Sequence, residues 1–594
     1  MNLSSLDLAI IIIFFVVFLV IGVLVSKKAG SSSKEFFLSG RNMPWWLLGI
    51  SMVATTFSAD TPNLVSDIVR QNGVAGNWVW WAFLITGMLT VFVYAKLWRK
   101  SGVLTDLEFY EKRYSGKEAA FLRGFRAIYL GVFFNIMIMA SVCLAAIKIG
   151  EVMFDLEPWK TVVYASLITV AYSSLGGLRG VILTDFLQFI VAMVGSIAAA
   201  IYIINLPEIG GLTALIERPE IASKLSLIPD ISDRELFISL LVIPIAVQWW
   251  SVWYPGSEPG GGGYIAQRML SAKNEKNAVS ATLLFNITHY ALRPWPWILI
   301  ALASIVVYPD LASIQTAFPN ISPDKLGNDL GYSAMLLTLP KGLLGIVVAS
   351  LIAAFMSTIS THLNWGSSYV VFDFYQRFVK PKASDKELVR VGRISTVGLM
   401  IFAGLFALVL TNAYQAFQIL LSIGAGTGLI FILRWFWWRI NAYSEITGMV
   451  VSFIVALVLN VERISPAFLF ELPSEYKLLL SVGITTVAWV AVTFMTKPTD
   501  HKTLASFFNL VKPYGNGWNK FKQIAKTENI DIKEGTGRLS IDILAMFLGI
   551  IIVYSALFST GMFIYGNMTN GVILLSVTLV SSILLKKTWK KLKF

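Results

Sequence analysis

The sequence predicts an all-α polytopic membrane protein built around two inverted repeats, and three observations predict it. Hydrophobic residues make up 56% of the 594-residue chain and charged residues 14%, with a mean hydropathy of +0.69, outside the range of soluble chains. The basic residues behind the net charge of +13 gather in alternate loops, the pattern of membrane orientation rather than of nucleic-acid binding. Two apolar spans are interrupted by residues that do not belong inside a membrane helix, the trace of paired discontinuous helices in an inverted-repeat core.

About fifteen segments approach the roughly 20 apolar residues that a bilayer requires: 6–25, 44–71, 77–98, 120–153, 158–175, 180–205, 235–256, 275–308, 332–379, 388–412, 414–439, 442–461, 475–496, 541–564 and 569–586. The first is preceded by MNLSSLD, which has no positive stretch, and followed by Lys27 and Lys28 with no small-residue cleavage site. It reads as a retained span with its N-terminus outside. Threading from there puts LWRKSG, EKRYSGKEAAFLRGFR, QRMLSAKNEKN, FYQRFVKPKASDKELVR, RWFWWRIN and the tail KKTWKKLKF in the cytoplasm. The opposite loops, such as VVYPDLASIQTAFPNISPDKLGNDLGY, are poor in Lys and Arg. The expected location is the plasma (inner) membrane, multi-pass, with the C-terminus cytoplasmic.

Span 44–71 contains Asp60, Pro62 and Asp67, and span 235–256 contains Pro244 and runs into WYPGSEPGGGG. Non-helical backbone at membrane depth persists only where it is buried or lines a wet cavity. A functionless proline kink accounts for one such span. Two, five spans apart, fit a transporter whose site lies where the helices break.

Span 180–205 holds Asp185 within LTDFLQFIVAMVG. An intramembrane acid marks an ion pathway by default, and the alternative is a salt bridge to a nearby cation such as Arg179. The segment GLLGIVVASLIAAFMSTISTHLN, residues 342–364, clusters Ser357, Thr358, Ser360 and Thr361. Ala354, Ser357 and Thr358 stand at i, i+3 and i+4, so one carbonyl and two hydroxyls converge on one face. Those are ligands for a hard monovalent cation. Hydroxyls that bond back to the preceding turn or stitch helices together are the other reading.

Cys143, the one cysteine, lies in an apolar run and excludes a disulfide framework. His289, His362 and His501 lack the spacing of a transition-metal centre, and His362 reads as a packed or cavity-facing residue. Segment 497–540 is basic and turn-rich, a linker whose lysines face anionic lipid heads or water rather than a catalytic domain. No HExxH, GxSxG or comparable constellation occurs, so the chain is not read as an enzyme.

These pieces together resemble the sodium:solute symporter family, whose members include bacterial sugar, proline and sialic acid carriers. The motifs that carry the resemblance are GISMVATTFSAD at 49–60, SSLGGLRGVILTDFLQ at 173–188, YIAQRMLSAKN at 264–274, the hydroxyl helix with DFYQRF at 373–378, and FWWRIN at 436–441. The resemblance implies a LeuT-like core of two inverted five-helix repeats with one extra N-terminal helix. It divides the chain into 1–43 (extra helix and loop), 44–205 and 206–439 (the two repeats), 440–496 (additional spans), 497–540 (linker) and 541–594 (C-terminal spans and basic tail). It implies a sodium site formed by carbonyls of Ala54 and Phe57 on the first broken helix, with Ala354, Ser357 and Thr358 on the eighth core helix. A second sodium held by Asp185, Ser357, Ser360 and Thr361 follows from the pattern of some members.

On the solute side the motif match fails, because VQWWSVWYPGSEPGGGG carries an apparent insertion at 255–263. Asp60 and Thr61 match family positions near the substrate. Gln248, Trp249, Trp250, Trp253 and Tyr254 are candidates because aromatic faces with a few polar groups suit sugars, ring cations or amphipathic solutes, although an interfacial aromatic belt explains them equally. Arg293 is placed to meet a carboxylate substrate or to neutralise Asp60 or Glu258. The expected activity is sodium-coupled import of a small organic solute, a sugar or polyol, by alternating access. The expected partners are that solute, Na+ and the lipid bilayer, without nucleic acid, in a monomer or weak oligomer. The alternatives are a proton-coupled carrier of an organic acid or amino acid, with Asp185 titrating, and a transporter-like solute sensor without net transport.

Overall fold

Helices follow the apolar runs and stop where glycine, proline or a capping side chain intervenes. The computed structural model describes residues 3–594 other than 57, 59, 155, 253–257, 320, 322–325, 411–423, 425 and 462–463. Among the described residues eleven helices are long and apolar enough to cross a membrane, and no β-strand occurs. Four features separate this number from the expected fifteen. Spans 44–71 and 235–256 are broken into shorter helices, 158–175 and 180–205 join across one kink, and the start of 414–439 lies outside the described residues.

Helix α1 (Ser5–Ala29) begins with a reciprocal cap in which the Ser4 and Asp7 side chains each bond the other's backbone N–H. Asp7 also accepts from the N–H groups of Gly342 (2.7 Å) and Gly345 (2.8 Å). A carboxylate thus sits on the N-terminus of a second helix, where the macrodipole favours it, and α1 is pinned to the core at that point. The first broken span is α2 (Trp45–Thr55) and α3 (Asp60–Asn72). Next come α4 (Val74–Ser101) and α5 (Gly116–Glu151). Helix α6 (Pro158–Ile204) changes direction at Gly177, whose φ of 51° and ψ of −161° are non-helical.

The second broken span is α7 (234–246), a short turn at Gln248–Trp250, and α8 (Gly263–Ser271). The helix stops at Ala246, two residues after Pro244, and helical structure of the second half resumes at Gly263, after the glycine-rich run. Gly260 (φ 85°) and Gly261 (φ 88°) adopt backbone that L side chains rarely take, and the Gly260 carbonyl accepts from the Trp98 indole at 2.9 Å. The two broken spans are tied directly: Met43 N–H donates to the Ser271 carbonyl and Lys273 N–H to the Met43 carbonyl, both at 3.2 Å.

Helices α9 (Glu275–Val307), α10 (Leu330–Leu336) and α11 (Leu343–Val379) follow. The expected span 332–379 is therefore corrected: a turn through Pro340 and Gly342 (φ 86°) splits it, because neither residue sustains a helix there. Helices α12 (Asp385–Ala407), α13 (Gly428–Leu433), α14 (Ala442–Asn460) and α15 (Ser474–Met495) complete this part. The apolar windows of α9 and α11 are each 83% buried, against 22% for α1 and 17% for the last helix. The hydroxyl helix is therefore central, and α1 and the C-terminal helices form the periphery.

Segment 497–540 is more than a solvated linker. It forms α16 (His501–Val511) and α17 (Asn519–Thr527). Leu504, Phe507, Phe508 and Val511 make a buried stripe with Trp518 and Phe521, packed against Phe109 and Trp435. Low average hydropathy hides such an amphipathic face. Helices α18 (Leu539–Ile564) and α19 (Met568–Trp589) pack on each other, and α18 rests on α4 and α9.

Candidate ion and solute site

Ending α2 at Thr55 strips its last carbonyls of helical partners, and other elements supply them. Thr358 of α11 donates its hydroxyl to the Thr55 carbonyl at 3.0 Å. Arg293 donates to the carbonyls of Val53 and Thr56, each at 3.1 Å. Thr56 bonds back to Met52 and Val53, and its hydroxyl oxygen also lies 3.1 Å from His289 Nδ1. Ala54, Ala354, Ser357 and Thr358 are all buried in this neighbourhood. Phe57 lies outside the described residues.

One helical turn deeper, hydroxyls and charges form a second cluster. Asp185, fully buried, accepts from Ser357 at 2.6 Å and from Ser51 at 2.5 Å. The cation beside it is Arg268 of α8, at 3.6 Å, rather than Arg179. The same guanidinium donates to Ser51 (3.2 Å), Thr55 (3.1 Å) and Thr361 (2.7 Å). Thr55 and Thr361 are themselves hydrogen-bonded at 3.0 Å, and Ser360 donates to the Ser357 carbonyl at 3.1 Å. Four elements, α2, α6, α8 and α11, therefore meet through one buried polar network. A serine whose hydrogen goes to a carboxylate keeps its lone pairs for a cation, so Ser357 can serve Asp185 and an ion together.

The solute candidates divide. Asp60 and Thr61 open α3 at the break, where the Thr61 hydroxyl accepts from Ser58 N–H at 3.3 Å. Gln248 donates to the Val79 carbonyl at 2.7 Å, and Trp249 accepts from the Thr86 hydroxyl through its carbonyl. Trp250 bonds Ala246 and packs toward Leu478 and Val482 of α15, away from the break. Trp253 and Tyr254 lie outside the described residues. Arg293 caps α2 and lies over the Trp297 ring at 5.0 Å, and Glu258 pairs with Arg126 at 2.7 Å.

Sequence reasoning missed an aromatic group at the break. Trp80 of α4 stacks on Tyr290 with ring centroids 5.9 Å apart and stands edge-on to His289 at 5.8 Å. The wide turn at Thr288–Leu292 delivers both partners. Only the tertiary fold brings α4 and α9 together, so no spacing rule finds this group. Arg268 was missed as well: the loop charges place QRMLSAKNEKN in the cytoplasm, whereas in the structure α8 holds Arg268 fully buried beside Asp185. His362 is packed, bonded to Asn135 at 2.7 Å.

Paired broken helices around a buried hydroxyl and carboxylate cluster define a secondary carrier with an inverted-repeat core. A model of the sodium:solute symporter family matches residues 36–452, and the chain belongs to that family. It is 26% identical over 523 residues to a sodium/glucose cotransporter of Vibrio parahaemolyticus, covering 85% of this chain and 93% of the relative. It is 26% identical over 534 residues to sodium/myo-inositol cotransporter 2 of Oryctolagus cuniculus, covering 83% and 77%. Its fold matches the solved structure of a Na+-coupled sialic acid symporter in a substrate-bound outward-open state, with a TM-score of 0.65 at 22% identity, covering 84% of this chain and 99% of the other. The architecture is thus a LeuT-like core of two inverted five-helix repeats with an added N-terminal helix and added C-terminal helices. The chain is a multi-pass sodium-coupled solute symporter, not an enzyme, and sodium is the co-transported ion.

Proposed function

We propose that the chain imports a small neutral polyhydroxy solute, a sugar or polyol, with sodium bound between the first broken helix and α11. The observation that carries this reading is the Thr358 hydroxyl seated 3.0 Å from the Thr55 carbonyl at the helix break. Sodium joins there through the carbonyls of Ala54, Phe57 and Ala354 and the hydroxyls of Ser357 and Thr358. A second sodium uses Asp185, Ser357, Ser360 and Thr361. The repeats are 44–205 and 206–439, the N-terminus is outside and the C-terminus cytoplasmic.

Two features support a neutral solute. The relatives named above carry glucose or myo-inositol in their names. Arg293 bonds the carbonyls of Val53 and Thr56, so these donors are engaged at a helix end. Trp80, His289 and Tyr290 offer faces for the apolar side of a sugar ring, with Asp60 and Thr61 as hydrogen-bonding groups. Sodium bound at the break fastens α2 to α11 and favours the state that accepts solute, and its release loosens that contact.

The test is uptake into proteoliposomes under an inward sodium gradient, with potassium as control, across glucose, galactose, myo-inositol, proline and sialic acid. Sodium-dependent accumulation of a sugar or polyol is the expected result. Accumulation of proline or sialic acid alone overturns the solute class.

A further inference from the structure

On the face where the basic loops gather, a cavity of about 390 Å³ opens between the end of α4, the end of α16 with the segment after it, the loop before α18 and the residues after α19. Its floor is neutral and closed. Lys96 is buried against Asp542 at 2.7 Å, and the Tyr514 hydroxyl donates to the same carboxylate. Its walls are different. Lys100, Lys512 and Lys593 line it, and among the described residues none of the three has an ion pair. The one further acid on the lining, Glu534, is paired with Lys522 at 2.9 Å. Three ammonium groups therefore face one concavity whose acidic side chain, Glu534, is engaged by Lys522, a field that concentrates anions.

The fourth wall is the loop Gly535–Thr536–Gly537. It lies close against the 512–514 segment: a Cβ on Gly535 would come 2.7 Å from the Lys512 carbonyl, and one on Gly537 2.5 Å from the Tyr514 ring. Among the described residues the N–H groups of 535–537 make no hydrogen bond within the protein, and the Thr536 hydroxyl is exposed. Lysines opposite a glycine-rich loop with open backbone donors make the chemistry that cradles phosphate. A cavity of this volume holds a phosphate-bearing headgroup or a small phosphorylated molecule.

We infer that this cavity binds a phosphate-bearing anion, and that the bound anion ties α4 of the core to the segment after α16, the loop before α18 and the residues after α19. A lipid phosphate and a soluble phosphate share this chemistry, and the pocket's place at the ends of α18 and α19 admits both.

The experiment uses the full chain and two probes: inorganic pyrophosphate added to protein in detergent, and phosphatidic acid against phosphatidylcholine in nanodiscs. The readout is thermal stability as a function of probe concentration. Wild type is compared with Lys512→Gln/Lys593→Gln, and with Lys586→Gln/Lys590→Gln, which removes equal charge from the basic tail outside the cavity. All four lysines are exposed, so both variants keep the unliganded melting temperature. The expected result is that at least one probe stabilises wild type, that the cavity variant needs about tenfold more probe for the same shift, and that the tail variant matches wild type. Response to pyrophosphate identifies a soluble phosphate ligand; response to phosphatidic acid alone identifies a lipid. Absence of stabilisation by both probes overturns the inference, and so does equal weakening in the two variants, which would mean diffuse attraction to a basic surface.

Discussion

Asp185 and Arg268 are both fully buried and lie 3.6 Å apart, with Ser51 hydrogen-bonded to each. Removing one member leaves the other charge buried and uncompensated, a loss on the order of 3–5 kcal/mol. Asp185→Asn and Arg268→Gln are each expected to lower the melting temperature sharply, and the double variant less than the sum of the two, because it removes both charges. Strict additivity in thermal unfolding would mean that the two groups do not act as a pair. At this scale the sequence was partly legible. The spacing of Ser357 and Thr358 on one helical face, and the anomaly of an acid in an apolar span, both point to residues that the fold brings to one network. The partners were not legible: Arg268 and the Trp80, His289 and Tyr290 group come from spans far away in the chain, and hydropathy carries no record of which spans touch.

At the scale of elements, the sharp features are the interruptions. Gly177 turns α6 with a φ of 51°, and a Cβ there would lie 2.6 Å from the Phe36 carbonyl. Gly177→Ala is therefore expected to destabilise the folded state by about 1–2 kcal/mol or more, measured as a lower melting temperature in detergent, whereas Gly398→Ala, at a position with open space around it, is expected to be neutral or slightly stabilising. The breaks after Thr55 and after Ala246 were legible because Asp60, Pro62, Pro244 and consecutive glycines are incompatible with a continuous membrane helix. The join at Gly177 was anticipated as a gap between two spans. The amphipathic α16 was not anticipated, since its apolar stripe averages out against the lysines around it.

For the whole molecule, ion number sets the concentrating power. One sodium crossing about 100 mV yields about 2.3 kcal/mol, and a tenfold gradient adds about 1.4 kcal/mol. A neutral solute coupled to one sodium reaches roughly several hundredfold accumulation, and with two sodiums roughly five decades. With Asp185 as a second ion site, the flux ratio of sodium to solute is expected to be two, falling toward one in Asp185→Asn; a ratio of one in wild type would remove that site. The charge pattern of the loops also predicts orientation. Cys143 is the sole cysteine and is buried, so on a Cys143→Ala background Ala317→Cys should label from outside intact cells and Lys590→Cys only after permeabilisation. The reverse pattern would invert the topology. The central claim is that sodium binds where α11 meets the first broken helix, and its most direct test needs no solute. Purified protein is titrated with sodium against potassium at constant ionic strength while thermal stability is followed, for wild type and Thr358→Ala. Sodium-selective stabilisation of wild type that is lost in Thr358→Ala is the predicted result, and equal action of sodium and potassium on wild type, or undiminished sodium stabilisation of the variant, would contradict it.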